Sequence, residues 1–158
     1  MPEIVPAQLA ELKIPARGEF IGLAKRVATS LGGLLGFSLD EIDELAIAVT
    51  QACGSAIEAA DETWGPGATL KLSFAPTVRG ILVEVDAVAP HAKEALPVQR
   101  QPAGRPEAQA HAHVRKAEAA IQRALEQELI RLFVDDFRHQ VDTGRRQISY
   151  RMVKYLIS

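Results

Sequence analysis

The feature that most constrains the fold is a long amphipathic segment that begins at Ser38. Ser38 and Glu41 have the spacing of a capping box, in which the serine accepts from a first-turn amide and the glutamate reaches back. Apolar residues then recur at helical spacing to about Ala60 in one stripe, namely Ile42, Leu45, Ala46, Val49, Ala52, Cys53, Ala56 and Ile57. Such a helix needs a second layer to bury its stripe, so the sequence predicts a packed domain built around it.

The surrounding segments predict the other parts of that domain. In chain order they are a strand over 9–15, a helix over 18–35 that ends at Gly32-Gly33 and Gly36, an antiparallel hairpin of 69–75 with 80–86, a helix over 125–137 and a closing hairpin of 140–142 with 147–157. The expected fold class is α+β: a two-layer α/β sandwich with a mixed, mainly antiparallel sheet and its helices on one face.

The region before the last helix is expected to be variable. Residues 89–106 contain four prolines and predict an irregular loop, whereas 107–124 are rich in Ala, Gln and Glu and predict a weakly anchored helix. The buried side of the following helix is expected to consist of Leu129, Ile130, Leu132, Phe133, Val134 and Phe137. We expect residues 1–158 to form a single domain.

Charge and cysteine content exclude several classes of function. The 158 residues carry 18 Lys and Arg against 20 Asp and Glu, a net charge of −2, and no polybasic run. This balance argues against nucleic acid and anionic membranes as partners. The single cysteine, Cys53, excludes a disulfide scaffold and fits a reducing compartment, so we expect a cytoplasmic protein. Cys53 lies on the apolar stripe and is expected to be buried.

Residues 47–57, Ile-Ala-Val-Thr-Gln-Ala-Cys-Gly-Ser-Ala-Ile, resemble the nucleotide helix of the anti-sigma-factor serine kinases, the switch-protein branch of the histidine-kinase-like (GHKL) ATPases. Residues 14–16, 37–45 and 148–156 resemble that family's first strand, its approach to the nucleotide helix and its last strand. The resemblance implies the Bergerat-type fold of those ATPases. It also implies sigma-factor binding, partner switching with an anti-anti-sigma-like protein, and a homodimer.

The resemblance places altered residues at the kinase positions. The general-base position is Gln51, whose amide cannot take a proton at neutral pH, and the Mg²⁺ position is Ser55, which reaches less far than asparagine. The adenine position is Asp86. The family's glycine position two residues later is Val88, and Pro90 stands in the loop that follows.

The second glycine box of the family is altered as well. Its two positions fall at Ala124 and Glu126, so that Glu126 and Glu128 would repel a γ-phosphate. The sequence therefore predicts that the fold of the family is retained and that its kinase activity is lost. No cofactor is expected unless the altered site still accepts ATP and Mg²⁺.

Alternatives remain open at this stage. An active kinase would need another base, such as Glu58 or Asp61, and a pocket protein would bind a different ligand where Val88 and Pro90 narrow the old cleft. The resemblance implies a partner surface near the first helix, at Arg17, Glu19, Phe20 and Lys25. The histidines His91, His111 and His113 are expected to be solvated and not to bind a metal.

Overall fold

A computed structural model describes the backbone of residues 8–91 and 106–157, and the side chains of the same residues except 106–112. The elements are β1 (Ala10–Pro15), a 3₁₀ turn (Gly18–Phe20), α1 (Ile21–Leu34), α2 (Leu39–Trp64), β2 (Thr69–Pro76), β3 (Gly80–Val88), α3 (Pro106–Phe133), β4 (Asp136–Asp142) and β5 (Gln147–Tyr155). The five strands form one sheet in the order β1-β2-β3-β5-β4. The α+β fold class is confirmed. Every pairing in this sheet is antiparallel, so the described strands include no parallel pair of the kind that a mixed sheet contains.

Helix α2 begins where the capping box places it. The Glu41 amide donates to Ser38 Oγ at 3.2 Å, and the Ser38 amide donates to Glu41 Oε2 at 2.8 Å. The helix continues past the expected end at Ala60 to Trp64, and Gly65 with φ +74° ends it. Only glycine adopts such a conformation at low cost. The helix is therefore 26 residues long and spans the sheet.

One face of the sheet is apolar and packs against α2. Strand β3 alternates, with Ile81, Val83, Val85 and Ala87 all fully buried. They form one core with the stripe of α2, while helix α1 packs on α2 through small residues such as Ala24 and Ala28. The opposite face of the sheet is polar and carries ion pairs such as Lys71–Glu11 at 3.1 Å and Arg151–Glu84 at 3.7 Å.

The region before the closing hairpin differs from the sequence expectation. Two helices were expected over 107–124 and 125–137, but residues 107–133 belong to one continuous helix α3 that ends at Phe133, and 134–137 lie outside it. Phe137 is buried, but in β4, and Leu132 is 78% exposed, so both were wrongly assigned to the buried side of a helix. Ile130 is fully buried as expected. The loop expected over 89–106 lies mostly outside the described residues.

Candidate functional site

Two side chains one turn apart on α2, Gln51 and Ser55, form the centre of the candidate site. Gln51 is half-buried, and Ser55 is 1% exposed. The Ser55 hydroxyl donates to Glu126 Oε2 on α3 at 2.6 Å. A hydrogen bond to a carboxylate is stronger than one between neutral groups. Ser55, the position at which the resemblance implies a Mg²⁺ ligand, is therefore held by a side chain of the protein itself.

Helix α3 lies across this part of α2 and is fixed there by further polar contacts. Arg123 forms an ion pair with Glu62, and Gln122 Nε2 donates to Glu126 Oε1 at 3.3 Å. The contacts of Ser55 with Glu126 and of Glu62 with Arg123 link α2 to α3. The contact of Gln122 with Glu126 lies within α3 and orients the Glu126 carboxylate. Together they close the side of α2 that carries Ser55.

The charge around Ser55 is predominantly negative. Burial raises the pKa of the Glu58 carboxyl, and the neighbouring carboxylates of Glu126 and Glu62 raise it further, while Arg123 opposes them. The carboxyl groups of Glu58, Glu62 and Glu126 thus outnumber the single guanidinium of Arg123, which already pairs with Glu62. Such an arrangement repels a triphosphate, which carries several negative charges of its own.

The second glycine box is absent in geometry as well as in sequence. Ala124 and Glu126 were expected at the start of a helix, but they lie in the interior of α3. Amide groups inside a helix are bonded to carbonyls four residues earlier, and only those of the first turn are free to hold a phosphate. Glu126 accepts a hydrogen bond from Ser55, the position at which the resemblance implies a Mg²⁺ ligand. Glu128 does not, since it is exposed beside Arg131.

The structure does not bring Asp86 together with Gln51 and Ser55. Its neighbours Val85 and Ala87 face α2 and are fully buried, whereas Asp86 faces the opposite side of the sheet. There it pairs in register with Ser149 and lines a polar groove that also contains Glu84 and Arg151. An adenine base between the sheet and α2 would therefore not meet the Asp86 carboxylate.

Val88 and Pro90 also lie away from α2. They line a groove of about 270 Å³ with Glu11 and Lys71, on the polar side of the sheet. The expectation that Val88 narrows the cleft next to α2 is wrong, because Val88 has the same strand parity as Asp86. Pro90 follows the end of β3 and lines the same groove as Val88.

A separate cavity of about 340 Å³ remains between α2, α3 and the closing hairpin. It is lined by small residues such as Ala59 and Ala120 and by the polar side chains Arg123, His139 and Tyr150. The ring centroids of His139 and Tyr150 lie 4.6 Å apart. Burial, with Arg123 nearby, lowers the pKa of His139, and burial raises the pKa of Tyr150 to about 12. The sequence analysis did not identify this cavity, because the predicted closing hairpin began at residue 140 and left out His139, which pairs with Tyr150 in the structure.

The remaining candidate residues lie at the surface or in the core. Cys53 is fully buried, as expected, and burial raises its pKa to about 12. His91 and His113 are exposed, and the His111 side chain lies outside the described part of the chain. Within the described residues, no group of three or more His, Cys, Asp or Glu side chains could hold a metal ion.

The expected partner surface is only partly a cluster. Arg17 and Glu19 form an exposed ion pair at 2.6 Å beside β1, and Lys25 is exposed on α1. Phe20 is half-buried and packs against the core. None of the helices in the described ranges is both long and apolar enough to cross a bilayer.

Comparison with known proteins gives similarity over part of the chain. A serine-protein kinase RsbW from Halalkalibacterium halodurans is 33% identical over 64 residues, which are 40% of this chain and 38% of that kinase. The RsbW kinases of Bacillus subtilis and Bacillus velezensis are 35% identical over 52 residues and 37% identical over 57 residues. The chain is similar to RsbW kinases. The aligned part covers 32% of the Bacillus subtilis kinase and 36% of the Bacillus velezensis kinase. No protein-family model matches the sequence.

Proposed function

We propose that this chain is a regulatory protein of the anti-sigma type that acts by binding proteins and has lost ATP binding and kinase activity. The observation that carries the proposal is the hydrogen bond between the buried Ser55 hydroxyl and the Glu126 carboxylate. A carboxylate at this point repels the phosphates of Mg-ATP, and the hydrogen bond that it accepts keeps the Ser55 hydroxyl engaged within the protein.

Three further observations support the loss of catalysis. Gln51 cannot act as a general base. The stretch that would hold the phosphates lies inside α3, where the amides are already bonded. Asp86 points to the other face of the sheet. A single change could be compensated by a neighbouring group, but these changes affect the base, the metal, the phosphates and the adenine separately.

The similarity to RsbW kinases supports a role in partner switching. The partners that we propose are a sigma factor, an anti-anti-sigma-like protein, or both, bound by a cytoplasmic homodimer of single-domain chains. The exposed ion pair of Arg17 and Glu19, with Lys25 on the same part of the molecule, is our proposed contact region. Nucleic acid and membrane are not among the proposed partners, because the chain is slightly acidic.

Isothermal titration calorimetry with Mg-ATP tests the proposal. The expected result is no heat of binding at micromolar concentrations, with the Bacillus subtilis RsbW kinase as the positive control. Micromolar binding together with phosphorylation of a partner serine would contradict the proposal. In that case the Glu58→Gln variant decides the alternative of an active kinase: loss of phosphorylation would identify Glu58 as the base.

The cavity beside α3 favours a second candidate, a protein that binds a small molecule other than a nucleotide. Its volume of about 340 Å³ is in the range of ligand pockets, and Arg123, His139 and Tyr150 offer polar contacts beside the apolar Val141 and Ile148. A thermal-shift screen of small carboxylic acids and aromatic metabolites tests this candidate. A ligand that raises Tm should lose its effect in Ala120→Trp, which fills the cavity, and an unchanged effect there would exclude this cavity.

A further inference from the structure

Helix α3 has two apolar faces, and only one of them packs against the protein. The inner face contains the fully buried Ile130 and the half-buried Phe133, which belongs to the core's outer layer. On the other face, four large apolar side chains are exposed: Val114 by 55%, Ile121 by 63%, Leu125 by 65% and Leu132 by 78%. We call these four residues the outer stripe.

The spacing of the outer stripe is that of a helix-pairing seam. Its members follow one another at seven, four and seven residues, which at 100° per residue confines them to an arc of about 40°. The stripe extends over about 27 Å of helix, at 1.5 Å per residue. Single exposed apolar residues are ordinary, but several of them aligned on one helix face are typical of an interaction surface. It lies about 160–180° around the helix axis from Ile130 and Arg123, which face the protein.

Two glutamates complete the seam. In a heptad frame that places Leu125 and Leu132 at a and Ile121 and Val114 at d, Glu118 falls at a and Glu128 at d. Both are exposed. Glu128 has an ion pair with Arg131 at 3.8 Å, which is solvent-exposed on both sides and contributes little. The surface is thus an apolar row interrupted by two carboxylates at fixed positions.

The two carboxylates disfavour a second copy of this chain as the occupant. An antiparallel pair of α3 helices that aligns the outer stripes brings Glu118 of one copy against Glu128 of the other, in two layers of the seam. A parallel pair brings Glu118 against Glu118 of the other copy, and Glu128 against Glu128 of the other copy. Like charges in a desolvated seam are unfavourable in either arrangement. The carboxylates also disfavour an anionic membrane, which attracts helices with basic polar faces.

We propose that the outer stripe binds an amphipathic helix of a partner protein that carries lysine or arginine opposite Glu118 and Glu128. The partner's apolar residues would have the same spacing as the stripe, because the order of apolar and acidic layers is the same from either end. Ala117 and Ala124 flank the stripe at the positions next to the seam, and their small side chains allow close approach. The proposal rests on the proposed function only in that the chain acts by binding protein. It does not require the loss of ATP binding.

Fluorescence anisotropy with a stapled helical peptide tests this proposal. The probe has leucine at the four apolar positions of the seam and lysine at the two positions that face Glu118 and Glu128. A second peptide has glutamate at those two positions. The lysine peptide is expected to bind at least about tenfold more tightly than the glutamate peptide. In the double variant Glu118→Lys/Glu128→Lys the preference is expected to reverse.

The matched variants distinguish binding at the outer stripe from nonspecific binding to any exposed apolar residue. Ile121→Gln/Leu125→Gln should weaken the lysine peptide at least about tenfold, whereas Val78→Gln, a fully exposed apolar residue between β2 and β3, should leave it unchanged. Unaltered melting curves check folding, since all these side chains are exposed. Absent binding of the lysine peptide, or equal binding of both peptides, overturns the proposal. So does a dimer, or binding to phosphatidylserine vesicles, that Ile121→Gln/Leu125→Gln abolishes. Mg-ATP calorimetry remains a separate test of the proposed function.

Discussion

At the scale of single residues, the hydrogen bond from Ser55 to Glu126 makes a direct prediction about stability. Ser55→Ala removes a buried hydroxyl that donates to a carboxylate at 2.6 Å, and should lower the free energy of unfolding by about 1–2 kcal/mol. The matched control is Thr29→Ala, whose hydroxyl donates to the Arg26 carbonyl at an exposed site on α1, with an expected change within about 0.5 kcal/mol. Both changes also improve helix propensity, so their difference reports the contact.

Urea unfolding followed by circular dichroism measures both variants. If Ser55→Ala is no more destabilised than Thr29→Ala, Glu126 does not hold Ser55 and the site next to Ser55 is open. That outcome would remove the observation on which the proposed function depends.

Some residue-scale features could be predicted from sequence because they are local. The capping box of Ser38 and Glu41 involves residues three apart, and both of its hydrogen bonds are present. The orientation of Asp86 was also predictable, since Ile81, Val83 and Val85 occupy the alternate positions that face the core. Asp86 therefore faces the opposite side of the sheet. Assigning Asp86 to the adenine position by resemblance did not take that alternation into account. The partner of Ser55 could not be found, because 71 residues separate it from Glu126.

At the scale of elements, the sequence predicted α2 and the hairpin of β2 and β3 well, but divided α3 in two. The division followed the change from Ala-rich to Leu-rich composition near Leu125. No glycine or proline stands there, so nothing in the chain ends a helix at that point. The same emphasis on composition assigned Leu132 to the core, although it shares the solvent face with Leu125. Helix continuity was therefore predictable, while the choice of buried face depended on tertiary contacts.

Two glycines allow one substitution to be compared in a strand and in a helix. A Cβ added at Gly80, at the start of β3, would overlap the Lys154 carbonyl group and lie 2.8 Å from Tyr155 Cα on β5. Because both obstacles are backbone, Gly80→Ala should destabilise the protein by about 2–3 kcal/mol. A Cβ at Gly54, inside α2, meets nothing within 4 Å. Gly54→Ala should stabilise the protein by about 0.5–1 kcal/mol.

Thermal and urea unfolding of the two alanine variants give the comparison. The expected shifts have opposite signs, which neither side-chain chemistry nor hydrophobicity explains, since the substitution is the same. A destabilised Gly54→Ala would mean that α2 is packed more closely at this point than the structure indicates.

At the scale of the whole molecule, Lys154 links elements that are far apart in the chain. It is 5% exposed, and its Nζ donates to Glu44 Oε2 on α2 at 2.7 Å and to the Phe133 carbonyl at the end of α3 at 2.9 Å. Nearby, the Ile157 amide donates to Glu41 Oε1 at 2.9 Å. That hydrogen bond, the largest of several causes, lowers the pKa of Glu41. The end of β5 thus holds the start of α2 and the end of α3 in one arrangement.

Lys154→Met tests whether these links make the domain one cooperative unit. Methionine keeps most of the volume but removes both hydrogen bonds, leaving the Phe133 carbonyl without its donor, so the expected loss is about 1–3 kcal/mol. Lys71→Met, which breaks the exposed ion pair with Glu11, is the control and should cost at most about 1 kcal/mol.

Two probes follow the unfolding of Lys154→Met in urea: circular dichroism for all helices, and fluorescence of Trp64, the single tryptophan, at the end of α2. If the links act on the whole domain, both probes shift together to lower urea. A circular dichroism transition that precedes the fluorescence transition would instead mean that α3 detaches alone. The site next to Ser55 would then open without unfolding of α2, because Glu126 leaves with α3.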